Sequence, residues 1–120
     1  MKVLVVDDSV AMRMMIIRTL RQAGLSDHEF SQASDGAEGL EQVRSEKPDL
    51  VLADWNMPNM TGIEMLETLR EEGNDVKVGF ITTESTSAMR SRASAAGAMF
   101  LVGKPFTVES FEKALAPVLG

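Results

Sequence analysis

Three aspartates, a threonine and a lysine follow apolar segments of the chain, where their side chains could carry out chemistry together. The segment "KVLVVDDSV" runs four apolar residues directly into Asp7 and Asp8. Asp54 follows "LVLA", Thr82 follows "GFI", and Lys104 follows "FLVG". Carboxylates beside a hydroxyl and an ammonium group are suited to holding a divalent cation together with a phosphoryl group. This chemistry requires elements that bring the five side chains to one place.

Short apolar segments alternate along the chain with longer segments of helical periodicity. The pattern predicts strands at 3–6, 29–33, 50–53, 76–81 and 99–102 and helices at 10–23, 36–46, 61–72, 85–96 and from 107 onward. Strands that alternate with helices favour a parallel sheet covered on both faces by right-handed crossovers. The length of 120 residues suits one core, so a single α/β domain spanning 1–120 is predicted.

In an open α/β sheet, ligands bind beyond the carboxyl ends of the strands, and all five side chains follow such ends. Two unit charges about 4 Å apart repel by roughly 4 kcal/mol at an effective dielectric constant near 20. A group of aspartates is therefore costly without a counter-ion, and Mg²⁺ is the cation that carboxylate and phosphate oxygens suit best. Taken singly, Asp8 or Ser9 could only cap a helix and Lys104 could be a solvated surface lysine. The joint placement favours a functional site.

Composition excludes several classes of function. With 18 acidic and 12 basic residues, the net charge of −6 disfavours direct binding to nucleic acid or to an anionic membrane. The absence of cysteine excludes disulfides and thiolate metal sites, and it fits a reducing compartment. No segment resembles a signal peptide or reaches the roughly 20 apolar residues of a membrane span, so a cytoplasmic location is expected. His28, the only histidine, lies in a polar loop and is predicted to be a surface residue.

Four segments resemble the receiver domain of two-component response regulators, most of all the single-domain chemotaxis (CheY-like) type. They are "VLVVDDS" at 3–9, "DWNMPNMTG" at 54–62, "FITTE" at 80–84 and "GKPF" at 103–106. The resemblance covers essentially the whole chain. It implies a three-layer flavodoxin-like (βα)5 fold with a five-stranded parallel sheet of order 2-1-3-4-5, an order for which CheY is a standard example.

The resemblance also implies a role for each candidate residue. Asp54 resembles the phosphoacceptor, which takes a phosphoryl group from a phosphohistidine and becomes an aspartyl phosphate. Lys104 would pair with the phosphoryl oxygens, and Thr82 would donate a hydrogen bond to one of them. Mg²⁺ would be held by four residues: Asp7, Asp8, Asp54 and, through its backbone carbonyl, Asn56. The Lys104–Pro105 peptide bond is cis in many relatives.

The resemblance predicts a switch, and here the sequence departs from the usual pattern. In the family, phosphorylation draws the threonine loop inward and repositions an aromatic residue of the fifth strand. Leu101 occupies that position and has no ring, whereas the neighbouring Phe100 is aromatic. Thr83 belongs to the same switch segment as Thr82. Two further tuning residues are predicted to set the lifetime of the phosphoryl group, because they lie two positions after Asp54 and Thr82: Asn56 and Glu84.

The implied partners are a CheA-like histidine kinase and a downstream target, such as a flagellar switch component or another effector. The signal would leave through the face formed by the fourth helix, the fifth strand and the fifth helix, with no nucleic-acid contact and no membrane insertion. As an enzyme, the protein would catalyse only its own phosphorylation and dephosphorylation. A phosphorelay intermediate is an alternative, as is a degenerate receiver that only binds. An aspartate-nucleophile phosphatase is a third, although Asn56 stands where that mechanism needs a second carboxylate.

Two lesser signals concern surface residues. Strand alternation predicts that the side chain of Trp55 points away from the Asp54 carboxylate, as a tryptophan of a solvated loop. Arg90 and Arg92 lie on a helix of small residues and are predicted to form a solvated face.

Overall fold

Five parallel strands form the central sheet of the computed structural model, which describes residues 1–119. The strands are β1 Lys2–Val6, β2 Glu29–Ala33, β3 Leu50–Asp54, β4 Lys77–Thr82 and β5 Phe100–Gly103. Their order across the sheet is β2-β1-β3-β4-β5, which confirms the predicted doubly wound, flavodoxin-like topology.

Four helices connect consecutive strands, and a fifth follows the last strand. They are α1 Val10–Leu20, α2 Gly36–Glu46, α3 Gly62–Glu71, α4 Ser87–Ala95 and α5 Val108–Leu119. A π-helical turn, Arg21–Leu25, continues α1 and contains Gly24 at φ 115°, a left-handed conformation that glycine adopts without strain. The first helix therefore ends at the predicted glycine, although its last turn is wider than an α-helix.

The predicted ends of three strands are short by one residue. The prediction ends β3 at residue 53, β4 at residue 81 and β5 at residue 102, whereas Asp54 still pairs with Ile81, and Thr82 still pairs with Gly103. The prediction placed a boundary where apolar character ends, but the backbone ladder continues one residue farther. As a result, Asp54 and Thr82 are anchored by the sheet rather than by flexible loops.

Two apolar layers cover the sheet, because successive side chains of a strand point to opposite faces. Val3 and Val5 pack with α1 and α5, including Phe111 of α5, while Leu4 and Val6 pack with α2 and α3. The three central strands, β1, β3 and β4, are buried on both faces, as their near-continuous apolar sequences predict, whereas the edge strands β2 and β5 are only partly buried.

Side-chain caps fix where the helices begin. Ser9 caps α1 by accepting a hydrogen bond from the Met12 N–H, so capping does not explain Asp8. The predicted capping box of "TGIE" is present at Thr61 and Glu64. Helix α3 buries the face predicted for it, which consists of Ile63, Leu66 and Leu69.

Candidate functional site

Three carboxylates meet at the carboxyl edge of the sheet. Asp7 follows β1, Asp54 ends β3, and each of Asp7, Asp8 and Asp54 offers a carboxylate oxygen within 4.8 Å of those of the other two. Asp7 is 1% exposed and Asp54 is 9% exposed, whereas Asp8 faces solvent. The cluster therefore has a buried floor and one acidic group at its rim, an arrangement that a cation can reach from solvent.

Backbone and side-chain contacts hold Asp7 in place at the end of β1. Its N–H donates to the carbonyl of Ala33 at 3.1 Å, and its Oδ1 accepts the N–H of Ser9 at 2.9 Å. The guanidinium of Arg13 donates to the carbonyl of Asp7 at 2.6 Å and to Oε1 of Gln32 at 2.9 Å. Sequence reasoning missed Arg13, although an arginine in the first turn of the helix that follows an acidic pair was available as a signal.

The ammonium group of Lys104 lies between the two buried carboxylates. Its Nζ is 3.4 Å from Oδ2 of Asp7 and 3.5 Å from Oδ2 of Asp54. The Lys104 side chain is only 14% exposed, and its backbone N–H donates to the carbonyl of Thr82 at 2.8 Å. The Lys104–Pro105 peptide bond is cis. The alternative of a solvated surface lysine is thus wrong for Lys104.

Burial is the main reason why the pKa of Asp54 lies above its ordinary value. The ammonium of Lys104 lowers this pKa, the charge of Asp7 raises it, and the backbone N–H of Asn56 lowers it. The cost of desolvating the Asp54 carboxylate outweighs its attraction to the single ammonium group of Lys104. The negative charge of the carboxylates is therefore only partly offset by the lysine. Such a site favours an added cation.

Thr82 presents its hydroxyl from the end of β4. The residue is fully buried, and its Oγ1 accepts the N–H of Glu84 at 3.2 Å. Because that bond uses a lone pair of the oxygen, the hydroxyl proton remains available for donation to another acceptor. Thr83 and Glu84 are exposed in the loop that leads to α4.

The two candidate switch residues of β5 point to opposite faces of the sheet. Leu101 is partly buried and packs with the core under α2, α3 and α4. Phe100 packs with the α1 and α5 side, where its ring covers Gly79 so closely that any β-carbon there would collide with it. The side chain directed toward α4 is therefore Leu101, and the ring of Phe100 is confined on the other face.

One prediction about a surface side chain is wrong. Trp55 is 7% exposed, because its ring packs edge-on against Phe80 with centroids 5.1 Å apart. Arg90 and Arg92 are exposed as predicted, and Arg92 also pairs with Glu67 at 2.8 Å, so it links α4 to α3. His28 is half-buried and precedes β2, at the edge of the sheet opposite the carboxylates.

Comparison with known families decides how this cluster is classified. The family described as "Response regulator receiver domain" matches residues 3–116, a range that includes all five strand-end residues. The chain belongs to the response regulator receiver family. The resemblance inferred from the four sequence segments is thereby confirmed, and the acidic cluster lies at the carboxyl edge of a receiver domain.

Two relatives show the same kinship over almost their whole length. A probable chemotaxis protein CheY of Rhizobium etli is 36% identical over 121 residues, covering 99% of this chain and 92% of the relative. A chemotaxis protein CheY homolog of Campylobacter jejuni is 37% identical over 123 residues, covering 100% of this chain and 93% of that protein.

Solved receiver structures share the fold. Chemotaxis protein CheY4 of Vibrio cholerae superimposes with a TM-score of 0.84 at 35% identity, covering 98% of this chain and 97% of that one. A DNA-binding response regulator of the LuxR family from Staphylococcus aureus gives a TM-score of 0.87 at 22% identity, covering 99% and 98%, a likeness of fold alone. None of the helices between residues 1 and 119 combines the length and apolar character needed to cross a lipid bilayer.

Proposed function

We propose that this receiver domain is a phosphorylation-dependent switch of a two-component system that accepts a phosphoryl group on Asp54. The observation that carries the proposal is the position of Asp54 itself. Its carboxylate is nearly buried, its pKa is raised by burial, and it lies 3.5 Å from the ammonium of Lys104. A carboxylate held this way is positioned as a nucleophile rather than as a structural ion.

The donor atoms of the cluster fit Mg²⁺. Three carboxylates with oxygens within 4.8 Å of one another supply hard oxygen ligands, and no nitrogen or sulfur donor competes among them. Asp7, Asp8 and Asp54 would hold the ion together with the backbone carbonyl of Asn56. When bound, Mg²⁺ offsets negative charge on the transferring phosphoryl group.

The side chains of this domain then perform an in-line transfer. A carboxylate oxygen of Asp54 forms a bond to phosphorus as the phosphorus–nitrogen bond of a phosphohistidine breaks, and the bonding electron pair leaves with the imidazole. Lys104 stabilises the charge on the phosphoryl oxygens, and the free proton of the Thr82 hydroxyl suits a hydrogen bond to one of them. Catalysis of this kind is mainly positioning and electrostatics.

Two exposed residues are proposed to set how long the aspartyl phosphate lasts. Asn56 and Glu84 both face solvent and lie two residues after Asp54 and Thr82, where water would approach the phosphoryl group. Asn56→Ala and Glu84→Ala are therefore expected to change the rate of dephosphorylation in the presence of Mg²⁺. Rates equal to that of the unmodified sequence in both variants would contradict this assignment.

The proposed phosphodonor is a CheA-like histidine kinase, and the proposed output face consists of α4, β5 and α5. The names of the two relatives as chemotaxis proteins support a role in chemotaxis, with a flagellar switch component or another effector as the target. Leu101 has neither an aromatic ring nor a hydroxyl group. It would therefore respond to a movement of Thr82 only by changing its apolar packing. A phosphorelay intermediate differs only in passing the phosphoryl group to a further histidine.

A small phosphodonor provides the test. Incubation with acetyl phosphate and Mg²⁺, followed by intact-mass measurement, is expected to add one phosphoryl group. The gain is expected to disappear in Asp54→Ala and after chelation of the metal, while Asp49→Ala, at the opposite edge of the sheet, retains it. An undiminished gain in Asp54→Ala would contradict the proposal. Absence of any gain would favour a binding module, and rapid turnover of a phosphate ester would favour a phosphatase.

A further inference from the structure

The corner between β2 and α2 is attached to the loop that follows β3. Asp35 caps α2 by accepting the N–H of Glu38 on Oδ1 at 2.8 Å. Its second oxygen, Oδ2, accepts a hydrogen bond from Nδ2 of Asn59 at 2.8 Å. One carboxylate therefore starts a helix and holds a loop of another element at the same time.

Backbone contacts reinforce this attachment. The N–H of Gly36 donates to the carbonyl of Met60 at 3.1 Å, and a β-carbon at Gly36 would collide with that carbonyl. Asn59 has φ 66°, a left-handed conformation in which asparagine is among the most tolerated residues after glycine. The close approach of the corner to the loop therefore needs glycine at position 36, and the backbone of the loop suits asparagine at position 59.

The attached loop carries Asn56, whose carbonyl is the proposed backbone ligand of Mg²⁺. On its inner side the loop is anchored by the buried Trp55 and Met57, and the carbonyl of Trp55 accepts the N–H of Gly62 at 3.0 Å. Its outer residues, Asn56, Pro58 and Asn59, are exposed. The side-chain contact that restrains this outer half is the one with Asp35.

We propose that Asp35 and Asn59 are positioning residues that hold the loop 55–60 so that the carbonyl of Asn56 faces the metal position. The inference rests on the proposed function, because it needs Mg²⁺ at the three aspartates. Hydrogen bonds from the Glu38 backbone and from Asn59 lower the pKa of Asp35, which fits an ionised acceptor at neutral pH. The pair lies outside the cluster of Asp7, Asp8 and Asp54, and Asp35 accepts its hydrogen bonds from Glu38 and Asn59.

Two variants break the contact while leaving the cap of α2 intact. Asn59→Gly removes the amide, suits a positive φ and changes no charge. Asn59→Asp places a second carboxylate against Asp35. The double exchange Asp35→Asn with Asn59→Asp restores the bond in reverse, because the new amide can cap Glu38 and donate to the new carboxylate. The exchange also preserves the net charge.

The measurements require no phosphodonor. Mg²⁺ is titrated against the fluorescence of Trp55, and amide hydrogen exchange of residues 55–60 is followed without metal. Asn59→Gly is expected to weaken Mg²⁺ binding about tenfold or more, the effect of losing one hydrogen bond to a charged group. Both single variants are expected to exchange faster in the loop. The double exchange is expected to return the affinity to within about twofold of the unmodified protein.

Asn74→Gly is the matched control, since it makes the same replacement beyond the other end of α3 and should leave Mg²⁺ binding unchanged. If the unmodified protein binds Mg²⁺ and Asn59→Gly binds it equally well, the positioning role is overturned while the proposed function stands. If Asn59→Gly binds more weakly but the double exchange brings no recovery, the positioning role is likewise overturned. If the unmodified protein binds no Mg²⁺, the proposed function fails and this role fails with it.

Discussion

Helices α3 and α4 follow the two strands that present Asp54 and Thr82, yet they are held by different forces. Helix α3 buries five residues against the sheet: Gly62, Ile63, Met65, Leu66 and Leu69. Helix α4 buries only Ala93, and the loop before it, residues 83–86, is exposed throughout. The Asp54 side is therefore fixed by apolar packing, while the Thr82 side carries a helix with little apolar contact.

Polar contacts secure α4 where packing does not. Arg92 of α4 pairs with Glu67 of α3 at 2.8 Å. Arg70 of α3 donates to the carbonyls of Ala96 at 3.0 Å and Gly97 at 3.3 Å, just beyond the end of α4. One contact lies in the second half of the helix and the other just beyond its end, so its first half, next to Thr82 and packed on the core through the partly buried Met89, can shift at lower cost. The contrast indicates where the proposed phosphorylation of Asp54 would move the fold.

Truncation of a buried side chain should give the largest difference in stability between substitutions in α3 and in α4. Leu66→Ala in α3 removes a fully buried side chain and is expected to lower the free energy of unfolding by about 2–5 kcal/mol. Ala93→Gly in α4 should cost only about 1 kcal/mol, mostly through helix propensity. Urea unfolding measures both. Equal losses would mean that α4 is packed as firmly as α3.

Removing Arg70 tests the attachment of α4 to α3. Its guanidinium serves three carbonyls, those of Asn74, Ala96 and Gly97. Arg70→Ala is expected to cost about 1.5–3 kcal/mol, the range for hydrogen bonds to a charged group, and to speed amide exchange in α4. The exposed Arg90 on α4 is the control, and Arg90→Ala should change neither quantity. If amide exchange in α4 is unaltered in Arg70→Ala, Arg70 does not hold α4 against α3.

Replacing the buried acid should stabilise the metal-free protein by a smaller amount. Burial raises the pKa of Asp54, so its ionised form opposes folding at neutral pH. Asp54→Asn is expected to unfold at a higher temperature without Mg²⁺ at pH 7. The advantage should shrink as the pH falls through the raised pKa and vanish below 3.8, the ordinary value. An advantage that does not depend on pH would mean that burial of charge is not its cause.

The ion pair between the two helices should have the smallest effect. Both partners are partly exposed, so a double-mutant cycle with Glu67→Gln and Arg92→Gln should give a coupling of about 0.2–1 kcal/mol, less at high salt. The hydrogen bond from Arg92 lowers the pKa of Glu67. The contribution of this ion pair to stability should therefore be complete above pH 4.5, the ordinary pKa of a glutamate. It should be lost as the pH falls through the lowered pKa of Glu67. A coupling that persists in acid would contradict this assignment.

Much of the site could be predicted from the sequence because one rule governs it. Strands buried on both faces have continuous apolar sequences, and polar residues at their carboxyl ends must meet at one edge. Asp7, Asp54 and Lys104 obey this rule, and the structure places Nζ of Lys104 3.4 Å from a carboxylate oxygen of Asp7 and 3.5 Å from one of Asp54. The chain order alone allowed neighbouring strands, while the order 2-1-3-4-5 came from the family resemblance.

Contacts between different elements were not readable from local pattern. Trp55 follows a strand and looks like a loop residue, but its burial depends on Phe80 in the next strand of the sheet. The bond between Asp35 and Asn59 joins residues 24 positions apart, and neither type is unusual in its own segment. The pairing of Arg92 with Glu67 depends in the same way on how α3 and α4 lie against each other.

Amide hydrogen exchange with and without phosphorylation tests the central contrast most directly. The protein is labelled with Mg²⁺ alone and with Mg²⁺ and acetyl phosphate, and the peptides covering α3 and α4 are compared. Exchange in α4 and in residues 83–86 is expected to change on phosphorylation, while exchange in α3 stays the same, and Asp54→Asn should show neither change. A response in α3 as large as that in α4, or one that persists in Asp54→Asn, would contradict the account.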